Sequence, residues 1–253
     1  MNKFSHPYLG NRKFIGLAHR GGGGENPENT AIAFKAAQKL GFTHIELDVQ
    51  ATSDDVLIVF HDDKLDRITT GTGRISRMPY SEVSKVHIAE TEPIMTLQEA
   101  LEQFPDLHFN IDIKTPQALN PTIDLVRRMN CLPRICLASF SDKRLAAVRK
   151  ALGTEACMSG GPKTVAAQKF ASWGWPVRSG SVDCVQVPIR RYGIEIVTEG
   201  FIHHCQQNNI AVHVWTIDEM AEMRRLIRMG VNGVVTDRPS LLKQVAVEEG
   251  VWS

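Results

Sequence analysis

The runs Phe14-Ile15-Gly16-Leu17-Ala18-His19-Arg20-Gly21 and His44-Ile45-Glu46-Leu47-Asp48-Val49 set the pattern of the whole chain. Each is a short apolar stretch whose polar residues fall at its end or at alternate positions, which reads as a strand. Six further runs repeat the arrangement: His108–Ile113, Arg134–Ala138, Ala156–Ser159, Cys184–Val187, Val212–Thr216 and Gly233–Thr236. With Phe14–Ala18 and His44–Val49 they predict eight strands, each followed by a helical pattern. The clearest helices are expected over Asn29–Leu40, Asp142–Leu152, Thr164–Ser172, Thr198–Gln207, Glu219–Met229 and Ser240–Val247. Asn29, Asp142 and Asp218 stand where N-caps belong, and Gly41, Gly153 and Gly230 where helices end. Eight such alternations in 253 residues predict an α/β fold, a (β/α)8 TIM barrel, over an open doubly wound sheet. No G-x-G-x-x-G follows a strand, so no dinucleotide site is expected.

One segment interrupts the alternation. Val56–Phe60 reads as an extra short strand, and residues 62–95 are rich in turn signals such as Thr69-Thr70-Gly71-Thr72-Gly73. Only Ser81–Val86 shows a weak helical pattern. A segment this long between a strand and its helix is expected to be functional. It predicts a small lid over the barrel mouth, inside one domain spanning residues 1–253.

Composition narrows the classes. A hydrophobic fraction of 43% and a charged fraction of 23% suit an ordinary globular chain. A net charge of +1 argues against a nucleic-acid partner. No run reaches the ~20 apolar residues of a membrane span, and Phe14–Ala18 is too short for the core of a signal peptide. A cytoplasmic protein is expected. Cys131, Cys136, Cys157, Cys184 and Cys205 are odd in number, with no C-x-x-C pair, and read as buried free thiols.

The chemistry concentrates at strand ends. Residues i and i+2 of a strand share a face, so Glu46 and Asp48 point together, about 7 Å apart at Cα, with Ile45, Leu47 and Val49 opposite. The same parity joins Asp112 and Lys114, leaving Ile111 and Ile113 behind them. Three carboxylates facing one barrel mouth repel one another unless a cation is present. Glu46, Asp48 and Asp112 are therefore candidate ligands of one hard divalent cation, Mg²⁺ or Ca²⁺, with Mn²⁺ admitted. His19 and His61 are candidate acid–base groups near neutral pH. Arg20 and Lys114 are candidate phosphate-binding groups, with a structural ion-pair role as the alternative. His87, His203, His204 and His213 read as packing residues, and His44 as lying on or near the outer face.

These residues resemble the glycerophosphodiester phosphodiesterase family over nearly the whole chain. His19-Arg20-Gly21 with Glu28-Asn29-Thr30 is similar to its first motif. Glu46-Leu47-Asp48-Val49, Thr52, Asp54 and His61-Asp62 are similar to its second. Leu65, Arg67, Thr69, Gly71 and Gly73 resemble its lid start, and Thr96-Leu97 with Glu99-Ala100-Leu101 the following helix. Asn110–Lys114 resembles an Asn-Ile-Glu-Ile-Lys strand, with Asp112 in place of Glu and so one methylene shorter. Asp55 and Met95 replace a common Gly and a common Pro. Ser139-Phe140, Trp215-Thr216, Gly233 and Thr236-Asp237-Arg238-Pro239 resemble later barrel ends.

The resemblance implies metal-dependent cleavage of a small-molecule glycerophosphodiester to glycerol 3-phosphate and an alcohol. It implies that Glu28 and Asn29 position catalytic groups and that Trp215 walls the glycerol. Two alternatives stay open. One is phospholipase D-type hydrolysis of lysophospholipids or sphingolipids, with Tyr80, Phe140, Trp173, Trp175 and Phe201 lining a groove. The other is an inactive barrel that binds phosphodiesters. A homo-oligomer is compatible with either.

Overall fold

The computed structural model describes residues 4, 6–10, 12–177 and 180–252. Residues 1–3, 5, 11, 178, 179 and 253 lie outside it, and with them part of the N-terminal stretch read above for a leader. Eight parallel strands are present: β1 (Ile15–His19), β2 (His44–Ala51), β3 (His108–Ile113), β4 (Ile135–Ala138), β5 (Cys157–Gly160), β6 (Cys184–Val187), β7 (Ala211–Val214) and β8 (Gly233–Thr236). Each pairs with the next in chain order, and β8 pairs back onto β1 through Ile15↔Gly233, so the sheet closes into a barrel. A helix packs outside after each strand: α1 (Ala31–Lys39), α2 (Leu97–Gln103), α3 (Leu119–Met129), α4 (Asp142–Leu152), α5 (Pro162–Ser172), α6 (Glu199–Gln207), α7 (Met220–Arg228) and α8 (Pro239–Glu248). Among the described residues no helix is long and apolar enough to cross a membrane.

Strand parity divides the apolar residues between two cores. Ile45, Leu47, Val49, Ile111 and Ile113 pack outward against the helices, as their alternation predicts. Inside the barrel a smaller core joins Ile15, Leu17, Cys136, Cys157, Cys184, Ala211 and Val235 with Tyr8 of the N-terminal segment. The small thiols fit the narrow interior of an eight-stranded barrel, and all five cysteines are free and buried.

The helix caps differ from expectation. The side chain of Thr30, not Asn29, accepts the N–H of Ala33, and Ser141, not Asp142, accepts that of Arg144. At α7 no side chain caps the helix. Asp218 instead accepts from Thr236 Oγ1 (2.9 Å) and the Asp237 N–H (2.8 Å). Asn29 and Asp218 thus serve the barrel rim, a competing use of short polar side chains.

Leu57–Val59 forms the extra strand and pairs antiparallel to the end of β2. Residues 62–95 fold into a small unit with a 3₁₀ turn at Ile75–Arg77, one helical turn at Tyr80–Val83 and a hairpin joining His87–Ile88 to Glu92–Pro93. Phe60, Leu65, Ile75, Val83, Ile88 and Ile94 give it a core of its own.

His44, expected on or near the outer face, is inside. It shares parity with Glu46 and Asp48, stacks on His108 with ring centroids 4.7 Å apart, and meets the Tyr8 ring at 4.9 Å. Its Nε2 donates to the Tyr8 carbonyl at 2.8 Å, and its Nδ1 lies 2.9 Å from the Thr43 hydroxyl. Of the histidines read as packing, His213 is fully buried in the barrel, while His203 is exposed.

Burial in the barrel floor holds the His44 ring neutral, with its pKa pushed down from 6.5 to about 3. The unfolded chain therefore takes up a proton between about pH 6.5 and 3 that the folded chain refuses. Stability is complete above that window and is lost as pH falls through it, at up to about 1.4 kcal/mol per pH unit for each such group. Urea unfolding between pH 7.5 and 5 should show declining stability below pH 6.5. His44→Gln should flatten that decline, and an unchanged slope would remove His44 as its source.

Candidate active site

The site forms at the carboxyl ends of the strands, the face on which TIM barrels carry their chemistry. The chain leaves β1 through Arg20 (φ 52°), Gly21 (φ 84°) and Gly22 (φ 101°), all left-handed. A Cβ on Gly21 would lie 2.6 Å from the Phe34 ring, and one on Gly22 would lie 2.6 Å from the Pro239 ring. Glycine is required at both positions for space and for conformation. This sharp turn sets His19 and Arg20 on the rim.

Each histidine is held by an aspartate. His19 Nδ1 lies 2.8 Å from Asp237 Oδ1 and its Nε2 lies 3.7 Å from Glu46 Oε2. His61 Nδ1 lies 2.6 Å from Asp62 Oδ1. An ionised carboxylate only accepts, so Nδ1 carries the hydrogen in both rings and Nε2 is the nitrogen left for chemistry. Burial pulls the His19 pKa down, but Glu46 and Asp237 outweigh it and raise the group above 6.5.

The carboxylates expected to converge do so along β2 and β3. The register sets Asp48 beside Asp112 and Glu46 beside Asn110. Lys114 Nζ lies 2.7 Å from Asp48 Oδ1 and 2.7 Å from Asp112 Oδ2. Arg20 Nε lies 3.1 Å from the other Asp48 oxygen, which also accepts from Asn29 Nδ2 at 3.1 Å. Burial works against the charge of Asp48, yet Lys114 and Arg20 prevail and hold its pKa low. Burial wins at Asp112, raising it despite Lys114. Burial and the neighbouring Asp48 charge push Glu46 up to about 7. Among the described residues, no three His, Cys, Asp or Glu side chains already stand in ligating geometry. The Lys114 ammonium bridges Asp48 and Asp112 instead. The buried Asp112 Oδ1 has no hydrogen-bond partner.

Glu28 is the hub of a second layer. It accepts from Arg20 Nη1 at 2.9 Å and from both terminal nitrogens of Arg67 at 2.6 and 3.1 Å. Arg67 Nε donates in turn to Asp62 Oδ2 at 2.7 Å. That bond, reinforced by His61, holds the Asp62 pKa at about 2. The residue behind Arg20 is thereby tied to the residue behind His61.

An open pocket of about 570 Å³ spreads from these groups. Its lining includes His19, Arg20, Glu46, His61, Asp112 and Lys114, and also Trp215, which packs edge-on to Phe140 at 5.7 Å. Asn29 and Asp48 lie beneath this surface, fully buried. No residue of 62–95 is among the lining side chains, although Asp62 and Arg67 of this insertion brace His61 from behind. Its apolar residues are committed to its own core, and the far wall comes from α5 and the β6–α6 segment. Of the aromatics proposed for a groove, Phe140 and Trp173 line it. Tyr80 lies in the insertion beside a separate shallow cleft, Phe201 is buried beneath Lys169, and Trp175 is exposed outside the lining.

Several contributors had no legible role in the sequence. Asp237 reaches His19 across 218 positions, and Arg67 reaches Glu28 across 39. Asn110 donates to Gln186 Oε1 at 3.1 Å, leaving Asn110 Oδ1 and Gln186 Nε2 without partners at the pocket floor. The sequence marked Arg67, Asn110 and Asp237 only as members of motif-like stretches and gave none of them a partner.

Fold and rim together define a class, the TIM barrels that act on phosphate esters at the ends of their strands. The chain belongs to the glycerophosphoryl diester phosphodiesterase family, whose family model matches residues 19–241. It is 34% identical to a Mycobacterium tuberculosis protein named "Probable glycerophosphodiester phosphodiesterase 2", over 94% of this chain and 92% of that protein. It is 27% identical to a human lysophospholipase D, over 90% of this chain and 84% of that protein. The crystal structure of a glycerophosphodiester phosphodiesterase from Agrobacterium tumefaciens superposes with a TM-score of 0.77 at 24% identity, covering 92% of this chain and 99% of that one. That likeness establishes the shared fold.

Asp237 is expected to orient His19 and to help keep it protonated. Asp237→Asn should lower kcat on the order of tenfold or more in a folded protein. It should also move the His19-dependent limb of the pH–rate profile to lower pH, because a group that raises that pKa is gone. A profile superimposable on the wild type would show that Asp237 is structural only.

Proposed function

We propose that this chain hydrolyses glycerophosphodiesters to glycerol 3-phosphate and an alcohol. The observation that carries the reading is a pair of aspartate-held imidazoles facing one pocket with Arg20 and Lys114. Arg20 and Lys114 receive the phosphate oxygens and balance charge that grows on them during transfer. One imidazole Nε2 takes the proton of the attacking oxygen, and the other delivers a proton to the alkoxide as its P–O bond breaks. The free Asn110 Oδ1 and Gln186 Nε2 suit glycerol hydroxyls, which both donate and accept. Trp215 offers the apolar face of glycerol a wall. The relative from Mycobacterium tuberculosis supports the same substrate class.

The site's residues fit a divalent cation of the Mg²⁺, Ca²⁺ or Mn²⁺ type. Glu46, Asp48 and Asp112 form an all-oxygen donor set. Asp112 Oδ1 is buried without a partner, and among the described residues no lysine or arginine side chain pairs with Glu46, which accepts only from the Arg20 backbone N–H at 3.3 Å and faces His19 at 3.7 Å. When bound there, the ion would add charge neutralisation at the phosphate. Exhaustive chelation should abolish turnover, Mg²⁺, Ca²⁺ or Mn²⁺ should restore it, and calorimetry should detect ion binding that Glu46→Gln weakens. Full turnover by a protein free of metal on elemental analysis would end this part of the reading.

His19→Ala and His61→Ala should each reduce kcat by roughly 10²–10⁴-fold, the usual loss for a general acid or base, with little change in unfolding midpoint. A folded variant with near wild-type turnover would take that histidine out of the mechanism.

A second reading, phospholipase D-type cleavage of lysophospholipids, is favoured by the far wall of the pocket. Beyond the charged rim the lining turns apolar, with Phe140, Val165, Phe170, Trp173, Ile194 and Ile196. An acyl chain attached to the glycerol side would find contact there, and the human relative's name is consistent with it. Turnover of glycerophosphocholine and lysophosphatidylcholine separates the two. The apolar wall predicts measurable kcat/KM on the lysolipid, and strict selectivity for the deacylated diester would reject the second reading.

A further inference from the structure

We infer that the aromatic rim on the α5 side of the pocket docks this chain onto an anionic phospholipid surface. Nine large hydrophobic side chains are exposed among the described residues; five of them line this one mouth, and a sixth, Trp175, packs on one of the five. Such concentration on one face marks an interaction site rather than the scatter usual for a globular surface. Trp175 is 62% exposed and Tyr192 is 90% exposed. Phe170 holds the cluster together, with ring centroids 5.5 Å from Trp173 and 5.7 Å from Trp175. Val177 follows on the chain, and Ile194 stands beside Tyr192.

Two devices keep these side chains outward. Lys169, itself buried, donates to the Ile196 carbonyl and to Thr198 Oγ1, both at 3.1 Å, and sets its ammonium 5.3 Å from the centre of the Trp173 ring. This ties α5 to the segment that follows β6. A hairpin pairing Arg190–Arg191 with Ile194–Glu195 projects its turn through Tyr192 (φ 51°) and Gly193 (φ 79°). Tyr192 is therefore presented at a turn tip, where it contributes nothing to a core.

The chemistry of the patch selects its occupant. Tryptophan and tyrosine with a basic flank form the composition that settles at membrane–water interfaces. Arg190 is paired with Glu195 at 3.4 Å, while Arg191 lies against the Tyr192 ring at 5.3 Å and has no acidic partner among the described residues. The local balance is positive and complements phosphate head groups. The patch also borders the entrance to the pocket along its α5 side. A second copy of the chain seated there would close the entrance, whereas a lipid surface would feed it. The inference rests on the phosphodiesterase reading for its purpose, but vesicle binding can be measured without turnover.

The test uses the full chain and sucrose-loaded vesicles of phosphatidylcholine with phosphatidylglycerol. Wild-type protein should co-sediment, and less so with phosphatidylcholine alone. Trp175 and Val177 lie outside the pocket lining, so Trp175→Ser with Val177→Asp should weaken partitioning roughly tenfold or more. The double variant should hydrolyse a short, soluble glycerophosphodiester as the wild type does. That activity also reports that it has folded. On the unmodified protein, lipids brominated in the acyl chain should quench tryptophan emission. Failure of the wild type to sediment, variant binding equal to wild type, or unquenched emission would each overturn the docking surface. A wild-type dimer that the double variant converts to monomer, with no vesicle binding, would assign the face to contact between copies instead. Loss of turnover on the soluble diester in the wild type would count against the enzymatic reading and leave the vesicle result to stand by itself.

Discussion

Two adjacent parallel strands carry Glu46, Asp48 and Asp112 into the barrel rim, and the balancing of those buried carboxylates governs everything around them. Lys114 Nζ meets Asp48 and Asp112 at 2.7 Å each, and Arg20 closes on Asp48 from the other side. Removing charged groups from water costs several kcal/mol per ion unless partners are near. The cluster therefore requires its two cations at fixed places. Fixing them places an ammonium and a guanidinium together on the rim of the pocket. The imbalance that remains falls on Glu46, whose carboxyl is pushed up to about 7 by burial and by Asp48.

The second layer makes the rim rigid. Glu28 accepts from both Arg20 and Arg67, and Arg67 donates also to Asp62 behind His61. Guanidinium–carboxylate forks fix direction as well as distance. Arg20 and one imidazole are thus oriented by the same glutamate, while Asp237, delivered by the end of the last barrel strand, orients the other. The insertion takes part in this layer through Asp62, which holds His61, and through Arg67. Its own apolar residues are folded on themselves, and what it gives the rim is one carboxylate and one guanidinium.

The pocket is asymmetric in a way that bears on what enters it. Charged and amide groups lie on the β1–β3 and β6 side, and aromatic and aliphatic groups lie on the α5 and hairpin side. A phosphodiester with a polar end and an apolar end would be oriented by that contrast without any further contact. The exposed rings continue the apolar side past the pocket onto the surface.

The eight strands and the pairing of acidic residues on one strand face were legible in the sequence, because both are local. Alternation with a period of two is imposed by the backbone within a single strand. That is why Glu46 with Asp48 and Asp112 with Lys114 could be placed together with no knowledge of the fold. His44 shared that parity, so its inward position was legible too, and the expectation that it faced outward went against the rule. The caps were mislaid by one residue because Ser141, Thr30 and their acidic or amide neighbours compete for the same N–H groups. Asn29 and Asp218 had better partners on the rim. The tertiary structure alone decided that Asp237 holds His19 and that Arg67 joins Glu28 to Asp62. It alone placed the apolar wall on α5 and the hairpin rather than on the insertion. Asp237 meets His19 only when β8 closes onto β1, and Arg67 meets Glu28 only when the insertion folds back on the β1 end; no local spacing encodes which distant side chain will arrive there.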